Sequence, residues 1–392
     1  MTTTTYHILI NPAAASGRGR KVWKKIRPEL ERLGVSYRQF FPATPDHARE
    51  IIRGLEKSAK GTGTLAGESW GTGTMTHFSL HSEQPSMYAK NESLYPSPLT
   101  HPLHLIVIGG DGTMSTVVNS INDFTRFRIG YIPAGSANDL ALSLGLSDDP
   151  LENLSSILEG TVRRHLDVGV VDGAAKGTGT MAGESWGTGT MTHFSELGEP
   201  PQMTEKNESL YLSPLTHSPH RFLVSAGIGF DAAVCEGVNG STLKKLLSKV
   251  GLSKLSYIMI ALKILLTEKK AACTVTMDDG AAVHHMDRSL FAAVMLERFE
   301  GGGFMFAPDA DPEDGLFDLC MIGDISAPRF ILSLPKAKRG THFSIKGADH
   351  ALASKVTIHT DTPLYVHADG DVIARSSDIT FTCLPRVLQL LN

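Results

Sequence analysis

The distribution of apolar positions divides the chain into two parts of different character. In the first, short apolar runs alternate with amphipathic stretches. "YHILINP" from Tyr6 reads as a strand, and "GRKVWKKIRPELERLG" from Gly19 as an amphipathic helix that Gly34 stops. "SYRQFF" is a second strand, and "TPDHAREIIRGL" a helix with Thr44 as N-cap and Pro45 at its first position. "LHLIVI" is a buried-type strand, "TMSTVVNSI" a helix, "RIGYIPA" a strand and "ANDLALSLGL" a helix. Such alternation predicts a parallel α/β sheet. From Arg164 the pattern changes. "RHLDVGVVDG", "HRFLVSAGIGF", "ACTVTMDD", "SLFAAVMLER", "GLFDLCMIG", "KVTIHT" and "LYVHADG" predict a mostly antiparallel, β-rich second domain with one helical region over 243–266.

One stretch fits neither part. "KGTGTLAGESWGTGTMTHFS" from Lys60 returns almost unchanged from Lys176, and the likeness runs over 60–101 and 176–217 without a gap. Gly, Thr, Ser and Pro dominate both copies, and neither holds a period of 2 or 3.6. Two separated copies do not build a solenoid. They read as two insertions of one element into surface loops, where added length costs little. The second copy would lengthen a hairpin loop. "NES" at Asn91 and Asn207 matches a glycosylation signal, which a cytoplasmic chain would not use.

Composition removes several classes. The 392 residues are 41% hydrophobic and 20% charged, with net charge −4, so there is no general attraction to nucleic acid. Four distant cysteines, Cys235, Cys273, Cys320 and Cys383, contain no CxxC pair and suit a reducing cytoplasm. The N-terminus lacks the pattern of a signal peptide. The most apolar run, "LSYIMIALKILL", is cut by Lys254 and Lys263 well below the roughly 20 residues a spanning helix needs. His284–His285, and the paired His77 and His193, show no metal spacing and read as surface residues.

The doubled stretch, with Gly and Thr beside a lysine, suggests phosphate but fails on context. A phosphate loop leaves a buried strand and opens a helix, so that free N–H groups and the helix dipole face the anion. "LHLIVIGGDGTMSTVVNSI" meets that requirement. Gly109, Gly110 and Gly112 let the backbone approach phosphate, and Thr113 opens the helix. Asp111 can hold magnesium beside a triphosphate, or brace the turn.

"GGDGTMSTVVN" resembles the nucleotide signature of the diacylglycerol kinase catalytic superfamily, which includes sphingosine kinases; NAD kinases share the "GGDG" core. "IPAGSANDLA", 132–141, resembles the lipid kinase motif that NAD kinases lack, with Ser136 for the usual threonine. "NPAAASGRG", 11–19, resembles the first nucleotide loop, lengthened by three alanines. "SAGIGFDAAV" resembles a hairpin returning into the second domain, "GGGFMFAPDADPEDGLFDL" a glycine-rich strand and metal turn, and "HADGD" the family's "DGE".

The resemblance implies an ATP-binding α/β domain over 1–146, a lipid-acceptor β-sandwich over 147–374 and a segment, 375–392, returning to the first domain. It implies ATP contacts from Asn11, Ser16, Gly17 and Thr44, from Gly109, Gly110, Asp111, Gly112, Thr113, Met114, Ser115 and Thr116, and from Ser136. Asn138 and Asp139 would fix their turn or shape the acceptor site. The family's proton acceptor falls on Asp371, with Asp369 in the same cluster; aspartate here is one methylene shorter than the usual glutamate. A structural Mg2+ would sit on Asp311, Asp314 and the Leu316 carbonyl. The expected activity is transfer of the γ-phosphoryl group of ATP to diacylglycerol or another lipid alcohol, at the inner face of a membrane. A relative that binds nucleotide or lipid without catalysis is the alternative. The lysine-rich stretch from Ser241 to Lys270 reads either as a bilayer-surface helix or as a packing helix, and "PKAKRG", 335–340, adds to a basic face. Oligomeric state is left open, a homodimer included.

Overall fold

The computed structural model describes residues 4–58, 102–172, 219–239, 253–267 and 270–392. Both copies of the doubled stretch, with His77, His193, Asn91 and Asn207, lie outside the described residues, as does the first part of the 243–266 helix. In chain order the elements are β1 (Tyr6–Ile10), α1 (Ala14–Arg32), β2 (Tyr37–Phe40), α2 (Pro45–Ser58), β3 (Leu103–Gly109), α3 (Asp111–Val118), β4 (Phe127–Pro133), α4 (Asp139–Leu144), α5 (Pro150–Leu158) and β5 (Arg164–Asp172). There follow β6 (His220–Phe222), β7 (Ser225–Gly229), α6 (Phe230–Asn239), α7 (Ser253–Thr267), β8 (Ala271–Met277), β9 (Ala282–Ser289), β10 (Phe291–Met295), β11 (Phe317–Ile322), α8 (Ala327–Ala337), β12 (Ala348–Ala353), β13 (Lys355–Ala368) and β14 (Asp371–Leu390).

The parallel part runs β2–β1–β3–β4. The inner strands β1, β3 and β4 are buried on both faces, as βαβ crossovers require, while the edge strand β2 exposes Arg38 and Gln39. On one face Ile8 and Ile10 pack with Trp23 and Ile26 of α1 and Ile157 of α5. On the other, Leu9 packs with Ile52 of α2, Val117 of α3 and Leu140 of α4. The predicted alternation therefore gives three layers. Helix α5 was not apparent in the sequence, although Asp149 caps it and Pro150 opens it.

The antiparallel part continues β14–β13–β7–β10–β11–β12, with β5–β6 and β8–β9 attached at its side. Phe291, Ala293 and Met295 face one cluster, while Ala292 and Val294 face another. This is the period-2 signature of a strand buried on both sides. β5 and β6 pair as Gly169↔Phe222 to Val171↔His220, so the second copy of the doubled stretch connects an antiparallel pair. The chain end ties the parts together. Gln389 and Leu390 pair in parallel with Arg128 and Ile129, and the Asn392 amide exchanges two hydrogen bonds with the Tyr131 backbone.

Two local expectations change. "SAGIGFDAAV" is not a hairpin: β7 runs straight into α6. "GGG" is not a strand: Gly301, Gly302 and Gly303 have φ of 65°, 83° and 87°, a left-handed run that side chains disfavour.

Candidate active site

The site starts where the parallel strands end. β3 stops at Gly109 and α3 opens at Asp111; β4 stops at Pro133 and α4 opens at Asp139. Crevices at the carboxyl ends of parallel strands are where doubly wound sheets bind ligands. The two turns touch backbone to backbone. A Cβ on Gly110 would lie 2.7 Å from the Gly135 Cα, and one on Gly135 would lie 2.5 Å from the Gly110 Cα. The Ala134 N–H donates to the Gly109 carbonyl at 2.6 Å. The Gly135 N–H donates to the Asn138 side chain at 2.7 Å, with Asn138 itself left-handed at φ 55°. Asn138 thus fixes the turn.

A third loop joins them. The Asn11 amide donates to the Thr113 hydroxyl at 3.0 Å, and the Arg18 guanidinium donates to the Gly135 carbonyl at 2.8 Å. Ala15, Ser16 and Gly17 are all at positive φ beside this junction. Ser136 is exposed, and Gly112 opens on free space. Thr116 donates back to the Gly112 carbonyl. Met114 and Ser115 are buried in the core under α3, so Met114 packs with Val117 instead of facing the crevice. The Thr44 hydroxyl accepts from the His47 N–H at 3.2 Å as the N-cap of α2.

The carboxylates have distinct partners. Asp111 accepts from the N–H groups of Asp139 and Leu140 at 3.1 and 3.3 Å, capping α4 from the neighbouring turn. Burial, then the Asp139 charge, raises its pKa. Asp139 is buried and accepts from the Gly302 and Gly303 N–H groups at 2.9 and 2.8 Å, so it fastens the parallel part to the glycine turn of the antiparallel part.

Asp369 and Gly370 form the two-residue turn joining β13 to β14, both with positive φ, as Asp-Gly hairpins favour. The Asp369 carboxylate reaches back to accept from the N–H groups of Leu223, Val224 and Ser225, the closest at 2.8 Å. Burial first, with Asp111 adding to it, pushes its pKa up to about 7 against those donors. Asp371 opens β14, is exposed, and pairs with Ala368. Partial burial raises its carboxyl, while Arg49 of α2 and His367 hold it down.

Behind this hairpin lies a cluster the sequence did not reveal. His367 is fully buried, with Nε2 3.1 Å from Asp231 and 3.7 Å from Glu300. Burial opposes its charge, but Asp231 and then Glu300 raise its pKa to about 9. Gly227 leaves the room: a Cβ there would lie 2.3 Å from the Asp231 carboxylate. The three residues are scattered along the chain, so no spacing marks them. The only available signal was a histidine inside the apolar run "LYVHADG".

The proposed metal turn is a separate place. Asp311 accepts from the Glu313 N–H and Asp314 from the Leu316 N–H, each through Oδ1. Asp314 is raised by burial and then by Asp311 and Asp318. Among the described residues no group of three or more His, Cys, Asp or Glu could hold a metal ion. An ion here would therefore rest on one or two carboxylates and main-chain carbonyls, an oxygen-only set that fits a hard cation. His284 lies 3.5 Å from Asp349 and His285 bonds Thr274, both on β9. No helix among the described residues is long and apolar enough to cross a membrane.

Residues 5–67 and 90–171 match the diacylglycerol kinase catalytic domain, and 223–392 match the YegS C-terminal NAD kinase beta sandwich-like domain. The first match breaks inside the first copy of the doubled stretch, and the interval between the matches spans the second. A protein of Bacillus subtilis (strain 168) named as a lipid kinase, YtlR, is 26% identical over 370 residues, covering 94% of this chain and 93% of its own. A diacylglycerol kinase of the same organism is 24% identical over 306 residues, covering 78% and 81%. The fold matches a crystal structure assigned as a diacylglycerol kinase from Bacillus anthracis str. Sterne, with TM-score 0.61 and 17% identity over 99% of this chain and 95% of that one. With both domains matched in order along its length, the chain belongs to the diacylglycerol kinase catalytic-domain superfamily, a family of lipid phosphotransferases.

Proposed function

We propose that the protein transfers the γ-phosphoryl group of ATP to the hydroxyl of diacylglycerol, giving phosphatidic acid. The observation that carries the reading is the Gly110–Gly135 contact, which sets the N-terminus of α3 beside the turn that leads into α4. Helix N-termini leave N–H groups unpaired and favour anions. Gly112, with open space before it, lets phosphate oxygens reach the α3 backbone. Asn11, Ser16, Gly17 and Ser136 border the same crevice.

The acceptor hydroxyl enters from the β13–β14 hairpin. Asp371 takes its proton as its oxygen bonds the γ-phosphorus, and the bond to the β–γ bridging oxygen breaks to release ADP. Asp369 positions the hairpin by holding the 223–225 turn. Asp139 keeps the two parts of the site in register through Gly302 and Gly303. Asp111, whose carboxylate is raised by burial and Asp139, fits a divalent cation beside the phosphates, and Asp311, Asp314 and the Leu316 carbonyl fit a second, structural one. Mg2+ at Asp111 would neutralise charge on the phosphate oxygens.

The test is purified protein with labelled ATP, magnesium and mixed micelles of single acceptors. Label in phosphatidic acid is expected. Label in the phosphate of another lipid alcohol replaces the acceptor and keeps the kinase. Label in a dinucleotide, or none with any acceptor despite ATP binding, overturns the reading.

A further inference from the structure

Helix α8 turns an unusual face to solvent. Phe330, Ser333 and Ala337 are buried. On the opposite side Leu332 is 79% and Ile331 42% exposed, beside exposed Pro328 and Pro335. Exposed Arg329, Lys336, Lys338 and Arg339 flank this apolar strip, and Lys346 follows in the next loop. From Ile325 to Ala348 the chain carries those five cations and no Asp or Glu, although the protein is net −4. Among the described residues none of the five pairs with a carboxylate; Lys336 bonds Ser344 and Lys338 bonds the Gly302 carbonyl. α7 packs on the same cluster as α8 through Leu265, and exposes Leu262 and Leu266.

We infer that the outer face of α8 docks on an anionic lipid bilayer, with Leu332 and Ile331 entering the interface and the cations meeting headgroup phosphates. This rests on the lipid-kinase reading and gives it a surface. Apolar side chains centred in a basic ring are the pattern of an interfacial helix. A second copy of the chain would fit poorly, because a two-fold contact would set this cation cluster against its own image. Nucleic acid would engage the cations but not Leu332, which has no phosphate to meet.

The experiment is cosedimentation of the full chain with phosphatidylglycerol vesicles and with phosphatidylcholine vesicles. Binding to the first and not the second is expected, weakening with salt. Leu332→Glu, and Lys336→Glu with Arg339→Glu, should each lower binding about tenfold or more, while Leu33→Glu, just past the end of α1, should not. All are exposed sites, so unchanged thermal midpoints are expected and separate docking from folding. The inference is overturned if the parent binds neither vesicle or both alike, or if the α8 variants bind as the parent does. It is also overturned if Leu332→Glu dissolves a dimer in sedimentation velocity without vesicle binding, or if duplex DNA binds in place of vesicles. Failure of the kinase reading looks different: vesicle binding persists while no lipid is phosphorylated. With both readings sound, the α8 variants keep the parent rate on a short-chain, water-soluble diacylglycerol.

Discussion

Asp369 and Asp371 stand two residues apart and do different work. Asp371 is exposed and opens β14, and the charges of Arg49 and His367 act on it against burial. Asp369 spends its carboxylate on three backbone N–H groups. Asp371→Asn is therefore expected to lower kcat by roughly 10²–10⁴-fold with an unchanged unfolding midpoint. Asp371→Glu, which has solvent to extend into, should stay within about tenfold of the parent. Asp369→Asn keeps a residue type that tolerates positive φ, but turns an N–H donor towards the Leu223 N–H. It should cost about 1–3 kcal/mol of stability, read by denaturant titration. Equal effects of the two Asn changes on stability would remove this division of labour. The resemblance put the proton acceptor on Asp371 but gave Asp369 no role of its own, because the N–H groups it holds belong to a turn more than 140 residues earlier. His367 stayed invisible for a related reason. Its partners Asp231 and Glu300 meet it only through β13–β7 pairing and the glycine turn, and no periodicity encodes that.

At the scale of elements, the parallel strands and their helices were legible because each carries its own amphipathic pattern and stop. Among the later elements β5, β8, β10, β11 and β13 were legible as well, whereas β9 and β14 were not. β14 reads "DVIARSSDITFTCLPRVLQL", with charged and hydroxyl residues and Pro385 inside it. A proline argues against a central strand, yet here it sits where the pairing with β5 shifts register between Leu384 and Leu388. β9 has mostly exposed side chains and no alternation to detect. Element packing also supplies a sharp test of the phosphate site. Gly110 and Gly135 are not at positive φ, so only collision forbids a side chain there. Gly135→Ala should force the two turns apart, costing about 1–3 kcal/mol and lowering ATP affinity by about tenfold or more. Gly112→Ala meets nothing within 4 Å and should leave stability unchanged or raised by up to about 1 kcal/mol. Its methyl would instead stand where phosphate approaches. Calorimetric ATP titration beside thermal unfolding distinguishes the cases, and a Gly112→Ala protein with parental ATP affinity would move the phosphates elsewhere.

Across the whole molecule, buried ionisable groups set opposing limits on stability with pH. His7 and His220, held at about 4 by burial, contribute stability that is present above their ordinary value of 6.5 and lost as pH falls towards 4. His367 works the other way. Its folded pKa, about 9, lies above the ordinary 6.5, so its contribution is complete below about 6.5 and disappears as pH rises through 9. A shift of that size corresponds to about 3 kcal/mol. Asp369, raised to about 7, has the same sign but gives up its contribution earlier, between its ordinary value near 4 and 7. Burial raises the thiols of Cys235 and Cys273, so they enter only at still higher pH. Between 6.5 and 9 His367 gives up its contribution, with His350 beside Asp318 and the deeply buried Glu297, raised well above its ordinary value, acting in the same direction. Replacing His367 by Gln keeps a hydrogen-bond donor for Asp231 but leaves Asp231 and Glu300 without their counter-charge. Breaking a buried pair in this way costs about 3–5 kcal/mol. His367→Gln should thus be much less stable than the parent at pH 6, and the gap should narrow by about 3 kcal/mol by pH 9. Urea unfolding of both proteins across this range measures the difference directly, with the His350 contribution cancelling between them. A gap that stays constant from pH 6 to 9 would mean that His367 is neutral in the fold, and that the acids around it are not held by its charge.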